Sequence, residues 1–126
     1  MVRLREAKLL FSANASGGAY YLAGYAVEFG LKACIAKFTK RHDFPDKNRV
    51  NDSYVHDLAK LINVAGLRPE HIKAMRDLEF ELRWKIVLKW NEASRYKDNS
   101  QEDARELIEA IEDRRYGVLP WLKKHW

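Results

Sequence analysis

The sequence predicts an all-α protein, an up-and-down bundle of four to five helices forming one domain over residues 1–126. Three observations carry that expectation. Apolar residues recur at spacings of three and four along most of the chain. No alternating, strand-like segment runs beyond a few residues, and only 6 Gly and 3 Pro interrupt the pattern. At 126 residues, with 47% hydrophobic and 33% charged, the chain can bury a real core and is too apolar for disorder.

The first helix is expected from about Arg3 to Asn14, with Leu4, Ala7, Leu10 and Phe11 on one face, and Ser16-Gly17-Gly18 should break it. A long second helix follows from about Ala19 to Thr39. Ala19, Ala23, Ala26, Gly30 and Ala33 make a stripe of small residues along it that lets another helix approach closely, while Tyr21, Leu22, Tyr25, Phe29 and Leu31 cover its other faces. Between Ala19 and Ala36 the only charges are Glu28 and Lys32, one turn apart, where they can pair. Central charges cost roughly 3 kcal/mol each in a bilayer. A buried bundle helix, with Glu28 and Lys32 as a structural pair, therefore fits better than a membrane span.

Lys40 to Tyr54 reads as a polar connection, and Ser53 as the cap of a short third helix from Tyr54 to Ala65, closed by Gly66. Pro69 suits the first turn of a fourth helix, whose core face would carry Ile72, Met75, Leu78, Leu82 and Ile86. A second stripe on that helix, Phe80, Trp84 and Val87, must pack on the C-terminal helix or a partner subunit. It is expected to form the interface of a symmetric homodimer. Trp90 to Asn99 reads as a loop, after which Ser100 with Asp103 makes a capping-box start to the last helix. Acidic residues from Glu102 to Asp113 precede the basic Arg114, Arg115, Lys123 and Lys124, the order that suits the helix dipole and a solvated face. Apolar register continues past Pro120, where a kink or brief break is expected.

Several function classes drop out on composition. The single cysteine, Cys34, allows no intramolecular disulfide and no thiolate zinc site, and its neighbours Ala33, Ile35 and Ala36 mark it as a small buried residue. No metal-ligand set or cofactor motif is visible. Gly17-Gly18 lacks the strand and lysine of a phosphate loop, and no nucleophile elbow is present. The opening Met-Val-Arg-Leu-Arg-Glu carries no apolar signal region, so a cytoplasmic location is expected. The net charge of +5 suits RNA, nucleotides or an acidic protein partner. Lys37, Lys40, Arg41, Lys47 and Arg49 concentrate it after the second helix.

Four short stretches, in order, carry a family resemblance. Ala-Val-Glu-Phe-Gly-Leu-Lys-Ala at 26–33 is similar to the Glu-x-x-Leu-Lys-Ala element of HEPN (higher eukaryotes and prokaryotes nucleotide-binding) proteins. His56-Asp57-Leu58, the Trp90 to Tyr96 element with Arg95-Tyr96, and Val118 to Lys124 resemble the later elements of that family. The resemblance implies a HEPN-like bundle, usually dimeric. It also implies a nucleotide, RNA or cognate protein as ligand, plausibly a nucleotidyltransferase or an antitoxin, in a prokaryotic toxin–antitoxin or defence setting. Arg95 and Tyr96 would dock their loop or hold a phosphate and a base, and Lys40 and Arg41 would line a ligand.

Ribonuclease members carry an Arg, usually followed by a polar residue, and a His a few residues on. The RNA's own 2′-hydroxyl attacks the neighbouring phosphate, so a His suffices as general acid–base and no metal is needed, while the guanidinium holds the phosphate. Arg49 and His56, with six residues between them, are the only pair here with usable spacing. Val50 stands where the polar residue belongs, and His56 is already accounted for as a helix-start residue that hydrogen-bonds a neighbouring loop or helix. The leading expectation is a binding protein. The alternatives are a metal-independent ribonuclease toxin and a purely structural dimerisation module.

Overall fold

The computed structural model describes residues 2–41, 56–96 and 98–126, without the side chains of residues 40, 41, 95 and 96. Arg49, the cap Ser53, the helix start at Tyr54 and the side chains of Lys40, Arg41, Arg95 and Tyr96 therefore lie outside the described residues. Seven α-helices and no strand occur among those described. That is more than four or five, because two expected helices are each divided.

Helix α2, Ser16–Arg41, is the element on which the others assemble. Helix α1, Val2–Ser12, packs along it, with Ala7 fully buried and Leu4, Leu10 and Phe11 against the core, while Leu9 points to solvent. The chain reverses at Asn14, whose φ of 61° is tolerated by asparagine. The break thus comes before the glycine pair, and Gly17 and Gly18 belong to the first turn of α2. Along α2 the small residues Ala19, Ala23, Ala26 and Gly30 are buried, but Ala33 is exposed. Cys34 is buried and free.

Helix α3, Leu58–Val64, starts at Asp57, whose carboxylate accepts the Lys60 N–H at 3.1 Å. Gly66, at φ +71°, closes that segment with Phe38 against it. The expected fourth helix is two helices, α4 at Arg68–Ala74 and α5 at Leu78–Leu88, with Pro69 in the first turn of α4. Asp77 divides them. Its extended backbone and a carboxylate accepting the Glu79 N–H at 3.0 Å make a second N-cap.

That cap exchanges the two apolar stripes. Phe80, Trp84 and Val87 are 5%, 2% and 0% exposed within the single chain. They lie in the core on the face of α5 that meets the last two helices. They are therefore core residues and need no partner subunit to cover them, which corrects the interface expected from the sequence. Ile72, Leu78 and Leu82, expected inside, are 52%, 63% and 47% exposed instead.

A 3₁₀ turn, Glu92–Tyr96, occupies the expected loop behind the buried Trp90. Helix α6, Gln101–Glu112, opens with the full reciprocal capping box of Ser100 and Asp103. It ends well short of Pro120. There the Asp113 carboxylate accepts the N–H groups of Tyr116 and Arg115, which hold it below the ordinary carboxylate range, the Tyr116 bond foremost. Helix α7, Val118–Lys123, begins after Gly117, so Pro120 sits in a first turn where its missing N–H leaves no bond unmade. Glu112 and Asp113 reach across to Lys8 and Arg83 at 2.9 and 3.5 Å, and the other acidic residues of α6 face solvent. No described helix is long and apolar enough to cross a membrane.

His71 on α4 enters an aromatic nest, 4.5 Å from the Trp84 ring centroid and 5.7 Å from that of Trp121. Its Nε2 is buried without a hydrogen-bond partner. Burial lowers its pKa below 6.5, so the folded ring refuses a proton that the unfolded chain accepts. Stability should be full above 6.5 and fall as pH drops through that value toward the depressed folded pKa. Urea unfolding across that range should show a smaller loss in His71→Phe than in the wild type; equal losses would contradict this account.

Candidate functional site

Glu28 is a charged residue with 0% exposure, in the middle of α2. A buried carboxylate must be matched by donors or it destabilises the fold. Lys32, one turn along the same helix, places its Nζ 3.4 Å from Glu28 Oε2. His56, just ahead of the α3 cap, places Nδ1 2.8 Å from Glu28 Oε1. A carboxylate only accepts, so Nδ1 carries the hydrogen and donates it, which fixes the ring's orientation.

The other ring nitrogen, Nε2, lies 3.4 Å from Glu92 Oε2 in the 3₁₀ turn. Glu28, His56 and Glu92 thereby form a chain of contacts joining α2, the start of α3 and the 3₁₀ turn. Tyr25 stands beside it, its ring 6.4 Å from that of His56. A hydrogen bond with Tyr21, then burial, then the Glu28 charge raise the Tyr25 hydroxyl pKa far above its ordinary value, so it stays protonated at neutral pH.

Trp90 forms the back of the site. Its Nε1 donates to the Tyr21 carbonyl at 3.2 Å, and its ring meets Tyr25 edge-on at 5.5 Å. The ring can lie there because residue 24 is glycine: a Cβ at that position would come within 2.1 Å of the Trp90 ring. Gly24 and Glu92 both escaped the sequence reading. A glycine inside an otherwise good helix was the available signal for Gly24, whereas nothing local distinguishes Glu92.

Between these elements opens a cleft of about 390 Å³, lined by His56, Asp57, Leu88, Trp90 and Glu92 among others. Among the described residues its lining includes no Lys or Arg. The arrangement can hold an imidazole rigidly and offer carboxylates to a hydrogen-bond donor. Asp57 and Glu92, among its described lining, would repel a phosphate. The proposed catalytic partner Arg49 lies outside the described residues, and among those described no group of His, Cys, Asp or Glu is arranged to hold a metal ion.

The chain matches no family model, no curated protein and no solved structure.

Seating Trp90 on Gly24 has a direct consequence. Alanine normally stabilises a helix interior relative to glycine, by roughly 1 kcal/mol. Here Gly24→Ala should instead destabilise by about 1–3 kcal/mol through overpacking. Gly17→Ala, where a Cβ meets nothing within 4 Å, should cost nothing. Equilibrium denaturation of the two variants decides, and a Gly24→Ala protein as stable as the parent would contradict the packing described.

Proposed function

We propose that this chain is a HEPN-like helical protein that binds rather than cuts. Its ligand is a nucleotide, RNA or a cognate protein such as a nucleotidyltransferase, in a prokaryotic toxin–antitoxin or defence setting. The family reading rests on the four ordered sequence elements together with an all-helical fold centred on the helix that carries Glu28 and Lys32. One observation supports binding over cleavage: both nitrogens of His56 face carboxylates, Glu28 Oε1 at 2.8 Å and Glu92 Oε2 at 3.4 Å. A ribonuclease histidine has to meet the 2′-hydroxyl or the leaving oxygen beside a cation that holds the phosphate. His56 instead serves as a strut between helices.

A homodimer belongs to the same proposal, with a changed interface. Since Phe80, Trp84 and Val87 are buried within one chain, the contact would fall on Leu78 and Leu82, one turn apart on α5 and 63% and 47% exposed.

The test uses one preparation. Incubated with single-stranded RNA in EDTA, the protein should leave the substrate intact, and light scattering should give twice 14.8 kDa. Products ending in a cyclic phosphate, lost on His56→Gln in a protein of unchanged helicity, would replace the binding reading with the ribonuclease one. A mass of 14.8 kDa at micromolar concentration would remove the dimer.

A further inference from the structure

Several cations described in the fold are matched to a carboxylate. Lys8 pairs with Glu112, Arg83 with Glu79 and Asp113, Lys85 with Glu81, Arg105 with Glu102 and Arg3 with Glu6. Lys73, Arg114, Arg115 and Lys124, which form no ion pair among the described residues, converge on one groove. This cavity of about 550 Å³ lies among α4, α7 and the turn before α7, and shares no lining residue with the His56 cleft. A second cavity of about 430 Å³ adjoins it and shares Glu70, Lys124 and His125, extending the groove to Lys37 and Phe38 at the end of α2.

The groove is built around aromatic surface. Trp121 is half-buried, its ring 5.3 Å from Phe80 and flanked by His71 and His125 at 5.7 and 5.1 Å. Burial lowers the pKa of both histidines below 6.5, so at neutral pH they add flat surface and not charge. Two carboxylates line the groove, Glu70 and Asp77, and the Asp77 carboxylate already accepts the Glu79 N–H. Positive charge is therefore in excess along its length.

Unpaired cations along a groove with an aromatic floor match a chain of phosphates carrying flat, unstacked bases. A duplex hides its base faces from such a floor, and an acidic peptide leaves the aromatic surface without a partner. We propose that this groove binds single-stranded nucleic acid, with Lys73, Arg114, Arg115 and Lys124 on its phosphates and a base stacked against Trp121. The assignment rests on the binding reading above and gives it a ligand and a surface.

Fluorescence anisotropy of the full chain with a fluorescein-labelled 12-nucleotide oligouridylate, in EDTA, tests it. Saturable binding is expected that weakens steeply as salt rises, because each phosphate contact releases counterions. Replacing two phosphate-binding cations, in Arg114→Glu/Lys124→Glu, should weaken it by at least about tenfold. Arg5→Glu/Lys89→Glu, which changes net charge equally at exposed positions outside the groove, should stay within about twofold of the parent. An abasic strand of the same length should bind several-fold more weakly, since it offers no base to stack.

Equal losses in the two double variants would show diffuse charge attraction and overturn the groove. Equal binding by the abasic strand, equal competition by polyglutamate, or no saturation at 100 µM protein would overturn it as well. Cleavage of the oligonucleotide in EDTA, with the tenfold loss on Arg114→Glu/Lys124→Glu retained, would uphold the groove while sinking the binding-only reading.

Discussion

A carboxylate with no solvent exposure is the constraint around which this fold is arranged. Glu28 is buried at the centre of α2, where leaving water costs several kcal/mol unless donors replace the lost hydration. Lys32 supplies one donor from the same helix and can keep part of its stem in water. His56 supplies the second from a different element, and that requirement pins the start of α3 to the middle of α2. Glu92 then meets the far side of the same imidazole, so the 3₁₀ turn is held by the same ring. Trp90, two residues earlier, lies on Gly24. The polar strut and the aromatic seat thus reinforce one another along a single turn of α2.

Those contacts also divide the molecule chemically. Among the described residues, the end organised by Glu28 offers carboxylates and an imidazole committed to them. Four cations without a carboxylate partner among the described residues lie elsewhere, around Trp121 and the ends of α4 and α7. The described histidines do not mark a ligand surface by charge, because His56 is tied to Glu28 and Glu92 and burial keeps His71 and His125 uncharged at neutral pH. What separates the two regions is whether each charge already has a partner.

Local signals in the sequence were reliable where local chemistry decides. The Ser100–Asp103 box, the left-handed Gly66, the buried Cys34 and the inward face of α1 follow from capping, backbone sterics and periodicity. Errors arose where two readings of one segment compete. Residues 68–88 carry two apolar stripes, and only the Asp77 cap, which restarts the helix, selects Phe80, Trp84 and Val87 for the core. Aspartate within a helical pattern is weak evidence against the i, i+3, i+4 repeat of the other stripe. At the C-terminal end Pro120 drew attention as the breaker, yet the hydrogen bonds of Asp113 end the helix earlier and proline begins the next one. Of the site, the one-turn spacing of Glu28 and Lys32 was legible, as was the helix-start position of His56. Glu92 was not, because its role depends on a contact made only when the chain is folded.

The central claim is that Glu28 and His56 stabilise the fold as a matched pair, and a double-mutant cycle measures that directly. Glu28→Gln, His56→Ala and the combined variant would be unfolded in urea beside the parent at neutral pH. If the pair acts as described, the single changes should be non-additive, with a coupling free energy of about 1–3 kcal/mol, because once one partner is gone the other has less to lose. Additive losses, with coupling near zero, would contradict it: His56 would then be incidental to the burial of Glu28.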